Sequence, residues 1–175
     1  MRKLTNDELD RKSIEEFKNS QKLPLAIFLD NVRSLNNVGS VFRTSDAFLI
    51  EKIYLAGITG TPPHRDITKT ALGATESVAW EHMPDAVQGI KMLKEEGYEI
   101  LAVEQVADSI MLNAFTPETG KKYCLVFGNE VFGVDQQIVD LADHYLEIPQ
   151  SGTKHSLNIS VSVGIVVWDL FNKMK

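Results

Sequence analysis

Short apolar runs rich in β-branched and aromatic residues alternate with segments of helical periodicity along most of the 175 residues. Five runs are predicted to be strands: Leu25–Leu29, Ile53–Ala56, Tyr98–Val103, Tyr123–Phe127 and Tyr145–Ile148. Three intervening segments repeat their apolar residues at helical spacing: Val38–Leu49, Ala86–Glu96 and Asp135–Ala142. Strands joined through helices usually run parallel and are covered on both sides. The alternation therefore predicts an α/β fold with a mostly parallel sheet and helices on both faces.

The last apolar segment fits two kinds of secondary structure. Residues Ile159–Val163 alternate like a strand and are rich in β-branched side chains. The whole segment from Ser156 to Asn172 is too long for a strand, and Gly164 is its only turn-forming residue, so we predict a helix. One apolar side of that helix would hold Leu157, Val161, Ile165 and Trp168, and a second side would hold Ile159, Val163, Val166 and Leu170.

A helix with two apolar sides needs cover on both of them. In a domain of this size one side can pack on the sheet, which leaves the other side for a partner subunit. The final helix therefore predicts a homodimer. The alternative is a helix that is buried entirely within one chain.

Composition and charge narrow the class of protein. Cys124 is the single cysteine, the first residues lack the apolar stretch of a signal peptide, and no apolar run reaches membrane length. We therefore expect a cytoplasmic protein without a membrane segment. The net charge of −6 argues at face value against a nucleic-acid partner. However, residues 81–147 hold 4 basic and 13 acidic side chains, so a surface built from the two ends of the chain would not be acidic.

Three polar clusters, at residues 30–43, 125–134 and 148–158, include or follow the ends of predicted strands. Ligands of parallel sheets bind beyond the carboxyl ends of the strands, so these clusters are the candidate sites. Each cluster alone has an ordinary structural explanation: a helix capped by Asn37 with Arg43 on its surface, a turn carrying Glu130, and a loop before the last helix. The four histidines lack the spacing of metal ligands, so no metal is predicted.

Together the clusters carry three motifs. Asn-Asn-x-Gly-x-x-x-Arg starts at Asn36, Phe-Gly-Asn-Glu-x-x-Gly-Val at Phe127, and Ile-Pro-x-x-Gly-x-x-x-Ser-Leu-Asn-Ile-Ser-Val at Ile148. In this order and spacing the chain resembles the SpoU/TrmH family of RNA 2′-O-ribose methyltransferases, of the SPOUT class, over about residues 24–172. The resemblance implies a C-terminal trefoil knot, S-adenosylmethionine as methyl donor, and a homodimer with the active site near the subunit interface. General rules of chain topology would not have predicted the knot.

The resemblance also implies roles for individual residues. The implied catalytic residues are Asn37, Arg43, Glu130, Ser156 and Asn158. The implied cofactor-binding residues are Phe127, Gly128, Asn129, Ile148, Gln150, Ser156 and Leu157. Arg43 is often described as the general base of this family, but a guanidinium stays protonated in proteins. We therefore expect Arg43 to stabilise the developing 2′-oxyanion or to hold the adjacent RNA phosphate.

The expected partner is tRNA or rRNA. Phosphates bind to Lys and Arg, and we expect a local basic face made of Arg33, Arg43, Arg65, Lys69 and Lys154. Residues 24–175 would form the methyltransferase domain, and residues 1–23, with a short polar helix at Asn6–Asn19, an N-terminal extension.

Two other functions compete with the enzyme. One is a non-catalytic RNA-binding or assembly factor that keeps the fold. It is disfavoured because it would not need Arg43, Glu130, Ser156 and Asn158 together. The other is a nucleotide-dependent oxidoreductase, which is disfavoured because no G-x-G-x-x-G fingerprint is present.

Overall fold

The computed structural model describes residues 1–5 and 7–175. The strands within these residues are β1 (Leu23–Asp30), β2 (Ile50–Ala56), β3 (Trp80–Met83), β4 (Tyr98–Val103), β5 (Ile110–Met111), β6 (Lys122–Phe127) and β7 (His144–Glu147). The α-helices are α1 (Ile14–Asn19), α2 (Leu35–Ala47), α3 (Arg65–Ala71), α4 (Ala74–Ser77), α5 (Ala86–Glu95), α6 (Gln136–Val139) and α7 (Ile159–Lys173). Asp7–Leu9 and Leu112–Ala114 form short 3₁₀ helices.

The strands form one sheet in the order β3-β2-β1-β6-β4-β7-β5, and the neighbouring pairs are parallel. One apolar core lies between the sheet and α1, α2, α3, α4 and α7, and a second lies between the sheet and α5 and α6. The inner strands are largely buried, as the near-continuous apolar runs of parallel strands require. The predicted α/β fold with helices on both faces is confirmed. The trefoil knot stays a prediction.

The final segment is a helix, as predicted, but it begins at Ile159 instead of Ser156, so Leu157 lies just before it. Asn158 caps α7, because its Oδ1 accepts a hydrogen bond from Ser160 N (2.9 Å). The two apolar sides separate as the sequence indicates. Ile159, Val163, Val166 and Leu170 are buried, whereas Leu157, Val161, Ile165 and Trp168 are exposed. The alternative of a helix buried entirely within one chain is therefore wrong.

Short elements account for most of the differences from the sequence predictions. Strands β3 and β5 each pair with one neighbour only and contain no recognisable apolar run. The stretch Thr59–Lys69 looks loop-like, but α3 begins within it at Arg65, capped by the ring of His64. Helix α6 ends at Val139, earlier than predicted, because the following residues form i→i+3 turns.

The N-terminal helix is shorter than the predicted Asn6–Asn19, and Asn6 lies outside the described residues. Helix α1 starts after Ser13, where a capping box forms. Glu16 N donates to Ser13 Oγ (3.2 Å), and Ser13 N donates to the Glu16 carboxylate (2.7 Å). Phe17 is the buried residue that attaches this helix to the core.

Candidate active site

The three polar clusters meet beyond the carboxyl ends of β1, β6 and β7. Asn37 Nδ2 donates to Glu130 Oε1 (3.4 Å), and Asn158 Nδ2 donates to Asn37 Oδ1 (3.2 Å). These bonds connect residues that are 93 and 121 positions apart in the sequence. Parallel strands make this possible, because their carboxyl ends lie at one edge of the sheet. We refer to Asn37, Glu130 and Asn158 as the polar cluster.

Asn37 does not cap α2, which corrects the sequence prediction. The cap is Ser34, whose Oγ accepts a hydrogen bond from Asn37 N (3.3 Å). Helix α2 therefore starts before Asn37. The side chain of Asn37 projects from the first turn of the helix instead of folding back on the backbone. This position lets Asn37 contact both Glu130 and Asn158.

The Glu130 carboxylate binds the N-terminus of α2. Its Oε2 accepts from Arg33 N (3.0 Å), and its Oε1 accepts from Ser34 N (2.9 Å). Burial alone would raise the pKa of Glu130, but the hydrogen bonds from these two N–H groups outweigh it and lower the pKa from its ordinary value. A helix N-terminus also favours negative charge. Glu130 is thus a fixed, ionised carboxylate, which suits positioning better than proton transfer.

Replacing Glu130 with Gln should destabilise the protein at neutral pH but much less in acid. A lowered pKa in the folded state means that ionised Glu130 adds stability above its ordinary pKa of about 4.3. That contribution is lost as the pH falls through the lowered, folded-state pKa. Melting temperatures of the wild type and of Glu130→Gln, measured from neutral pH down into acid, give the difference in stability. A difference that does not change with pH would contradict it.

The turn after β6 folds tightly on itself. Asn129 and Gly133 exchange two backbone hydrogen bonds of 2.9 Å, and Asn129 Nδ2 donates to Asn31 O (2.8 Å). A Cβ on Gly128 would lie 2.0 Å from the carbonyl carbon of Gly133 and 2.1 Å from Val134 N. The approach of two backbone segments therefore requires glycine at position 128.

Two carboxylates to which the sequence analysis assigned no role brace this turn. Glu104 accepts a hydrogen bond from Val134 N (3.0 Å), and the buried Asp30 accepts one from Asp135 N (2.9 Å). Burial raises the pKa of Asp30. Both lie at the carboxyl ends of predicted strands, so the signal that identified the three clusters was also present for them.

A cavity of about 590 Å³ opens beside the polar cluster. Its size falls in the ordinary range of small-molecule sites, roughly 300–1,000 Å³. The residues expected to bind the cofactor all line it: Phe127, Gly128, Asn129, Ile148, Gln150, Ser156 and Leu157. Glu130 and Asn158 line it too, so the cavity and the polar cluster form one site. The adjoining loop is exposed from Pro149 to Asn158, which leaves backbone polar groups accessible to a ligand.

Arg43 does not line this cavity. It is exposed on α2, in a shallow groove that it shares with Phe48, Lys69 and Thr70. Arg43 lies six positions after Asn37, which corresponds to about 9 Å along a helix. Within one chain, the structure therefore separates Arg43 from the other residues that were predicted to be catalytic.

The other residues of the expected RNA-binding face lie on three segments. Arg65 and Lys69 belong to α3, Arg33 directly precedes the Ser34 cap of α2, and Lys154 lies on the exposed loop after β7. The structure brings Lys69 and Arg43 to one groove. It leaves Lys154 on the loop that adjoins the cavity.

In residues 1–5 and 7–175, no three His, Cys, Asp or Glu side chains form a group that could hold a metal ion. Over the same residues, no helix combines the length and the apolar character that crossing a bilayer requires.

Sequence comparison finds the same family that the motifs indicate. The model of the SpoU rRNA methylase family matches residues 24–168. The tRNA (guanosine(18)-2′-O)-methyltransferase of Aquifex aeolicus is 31% identical over 160 residues, which cover 90% of this chain and 74% of that protein. The protein of the same name from Thermus thermophilus is 28% identical over 162 residues, covering 93% of this chain and 81% of the relative.

Solved structures agree in fold. The A. aeolicus TrmH/SpoU tRNA modifying enzyme superimposes with a TM-score of 0.79 at 29% identity, over 91% of this chain and 79% of that one. An AdoMet-bound rRNA methyltransferase from Sinorhizobium meliloti gives a TM-score of 0.79 at 26% identity, over 85% and 56% of the two chains. With its motifs gathered around one cavity and a family model matching most of its length, this chain belongs to the SpoU methylase family.

Proposed function

We propose that the protein transfers a methyl group from S-adenosylmethionine to a ribose 2′-hydroxyl of tRNA or rRNA. The observation that carries this proposal is the single cavity in which the expected cofactor-binding residues meet Glu130 and Asn158. The relatives support the reaction class, since their names include a tRNA (guanosine(18)-2′-O)-methyltransferase and a 23S rRNA (guanosine-2′-O-)-methyltransferase.

The residues around the cavity fit S-adenosylmethionine. Apolar side chains such as Val103 and Ile148 offer a surface for the adenine ring. Gly128 and the exposed loop after Ile148 present backbone groups that can hydrogen-bond a neutral adenosine. When bound, S-adenosylmethionine supplies a methyl group on a positively charged sulfur. We assign the adenosine to the side of the cavity formed by Gly128, Ile148 and Leu157.

The polar cluster then positions the substrate. Positioning supplies much of the rate when two reactants must be held in line. The ionised Glu130 fixes Asn37, and Asn37 contacts Asn158, so the amides sit on a rigid base at the mouth of the cavity. Arg43, which keeps its charge, stabilises the 2′-oxyanion as it develops or holds the neighbouring phosphate.

The protein is proposed to act as a homodimer. The exposed side of α7 (Leu157, Val161, Ile165 and Trp168) is the face that a partner would cover. Trp168 packs against Phe48 with ring centroids 5.8 Å apart, and Phe48 lines the groove of Arg43. A partner on this face would therefore bring Arg43 to the subunit interface, where the resemblance to the family places the active site.

Two further assignments belong to this proposal. Residues 24–175 form the methyltransferase domain, with residues 1–23 as an extension. Helix α1 of this extension is attached to the core through Phe17. The RNA substrate and the free, buried thiol of Cys124 favour a cytoplasmic setting.

Replacing Arg43 with Lys should lower turnover by about tenfold to a hundredfold, because Lys keeps the charge but loses the planar fork of donors. Affinity for S-adenosylmethionine should stay near that of the wild type, since Arg43 does not line the cavity. Asn158→Ala is the matched variant. It should weaken cofactor binding as well as turnover, because Asn158 lines the cavity and caps α7. Calorimetry measures cofactor affinity and single-turnover kinetics measures methyl transfer, so together they distinguish the two variants. Equal turnover by wild type and Arg43→Ala would contradict the role of Arg43.

Replacing Arg65 and Lys69 together with Ala should weaken RNA binding without changing cofactor affinity. Loss of two phosphate contacts should also flatten the dependence of RNA affinity on salt. Lys91→Ala is the control, because Lys91 is exposed on α5, which packs on the opposite face of the sheet. Filter binding at several salt concentrations makes the comparison. Unchanged RNA affinity in the double variant would exclude α3 from the RNA-binding face.

A further inference from the structure

The turn between Gly128 and Gly133 carries two apolar side chains into solvent. Phe132 is 86% exposed and Val131 is 66% exposed. Exposed apolar residues are common on protein surfaces, so it is the position of these two beside the cavity that makes them candidates for contact with a ligand. The polar cluster does not use the ring, because its hydrogen bonds run through Asn37, Glu130 and Asn158.

The backbone holds this turn in one shape. Asn129 Oδ1 accepts hydrogen bonds from both Val131 N (2.9 Å) and Phe132 N (3.2 Å). The two backbone bonds between Asn129 and Gly133 close the turn, and Gly133 has a φ of +72°, which favours glycine. The tip that carries Phe132 is therefore fixed in place before a ligand arrives.

The ring lies at the rim of the proposed active site. Phe132 lines the same cavity as Glu130 and Asn158, yet most of its surface faces solvent. A ribose that delivers its 2′-oxygen into this cavity brings its own base, and those of the adjacent nucleotides, to the rim. The apolar ring of Phe132 can contact a base face, but it offers neither a charge nor a hydrogen-bond donor to a phosphate.

We propose that Phe132 is a stacking platform for a base of the substrate RNA, at or next to the methylated nucleotide. The inference rests on the proposed function. Proteins bind unpaired RNA bases by stacking them on exposed aromatic side chains, and every base offers a face for this contact. Phe132 would thereby help to hold the target nucleotide out of the base stack of the RNA, with its ribose over the cavity.

Kinetics of Phe132 variants test this inference. The substrate is total RNA from cells that lack the gene, with tritiated S-adenosylmethionine as donor. Phe132→Ala should raise the apparent KM for RNA about tenfold, at the lower end of what loss of one stacked base causes. Phe132→Trp should stay within about twofold of the wild type. Cofactor affinity and sedimentation should not change in either variant.

Two variants sharpen the result. Phe132→Leu keeps apolar bulk but removes the aromatic face, so it should resemble Phe132→Ala. Ile58→Ala is the matched control, because Ile58 is also an exposed apolar residue (70%) in a turn that follows a strand, here β2. If Leu works as well as Trp, if Ala leaves the KM for RNA unchanged, or if Ala dissociates a dimer, the stacking role is wrong.

Failure of the inference is distinguishable from failure of the proposed function. Filter binding of the same RNA measures stacking without turnover. RNA binding that depends on Phe132, in a wild-type protein that transfers no methyl group, would overturn the proposed reaction and keep the stacking role. If the wild type transfers methyl groups and Phe132→Ala does not change RNA binding, the stacking role is wrong and the proposed reaction stands.

Discussion

Replacing Gly128 with Ala should abolish measurable binding of S-adenosylmethionine. The new Cβ would lie 2.0 Å from the carbonyl carbon of Gly133 and 2.1 Å from Val134 N. These are backbone atoms, which cannot rotate away as a side chain can. The turn would have to open, and it would carry with it Glu130 and one wall of the cavity.

Gly152→Ala is the control for this variant. No atom lies within 4 Å of a Cβ built on Gly152, so the substitution should be tolerated. Calorimetry with S-adenosylmethionine, together with circular dichroism to establish folding, compares the two. Ordinary cofactor affinity in a folded Gly128→Ala protein would show that the turn is not part of the cofactor site.

Replacing Val161 and Ile165 with Asp should convert a dimer into monomers and reduce methyl transfer to background. Both residues lie on the exposed side of α7. A carboxylate buried in a subunit interface without a partner costs several kcal/mol, which weakens dimerisation by at least about a hundredfold for the pair. Activity should disappear with the dimer, since Arg43 does not line the cavity of its own chain.

Ile58→Asp serves as the control, because it places the same charge on an exposed apolar residue away from α7. Sedimentation at micromolar concentration measures the assembly, and cofactor binding shows whether each chain is folded. A wild-type protein that sediments as a monomer, or a double variant that remains dimeric, would contradict the assignment of this face.

Much of the fold could be predicted because its signals are local. The buried parallel strands form apolar runs, and α7 divides its side chains into two faces at helical spacing. Trp168 and Val163 fall on opposite faces for that reason alone. The two-residue strand β5 and the seven-residue helix α3, which has fewer than two turns, are too short for a period to emerge.

The site was harder to predict because long-range hydrogen bonds determine it. Asn37 has the residue type of a helix cap, and only the position of Ser34 shows that it is not one. Glu104 and Asp30 follow predicted strands, but the backbone groups that they bind lie 30 and 105 positions away, and no local pattern identifies those partners. The distance of Arg43 from Asn37 along α2 could be predicted from its place in the motif, but the groove in which Arg43 lies depends on how α2 packs against α3.

The most direct test of the central claim is the chemical position of the transferred methyl group. The protein would be incubated with tritiated S-adenosylmethionine and total RNA from cells that lack the gene, and the RNA would then be hydrolysed with alkali. Alkaline cleavage needs a free 2′-hydroxyl, so a 2′-O-methyl nucleotide remains in a resistant dinucleotide. We predict that the label is recovered in such a dinucleotide, from one or a few positions in tRNA or rRNA. Label on a base, or no transfer to RNA by a folded protein that binds the cofactor, would contradict the proposed function.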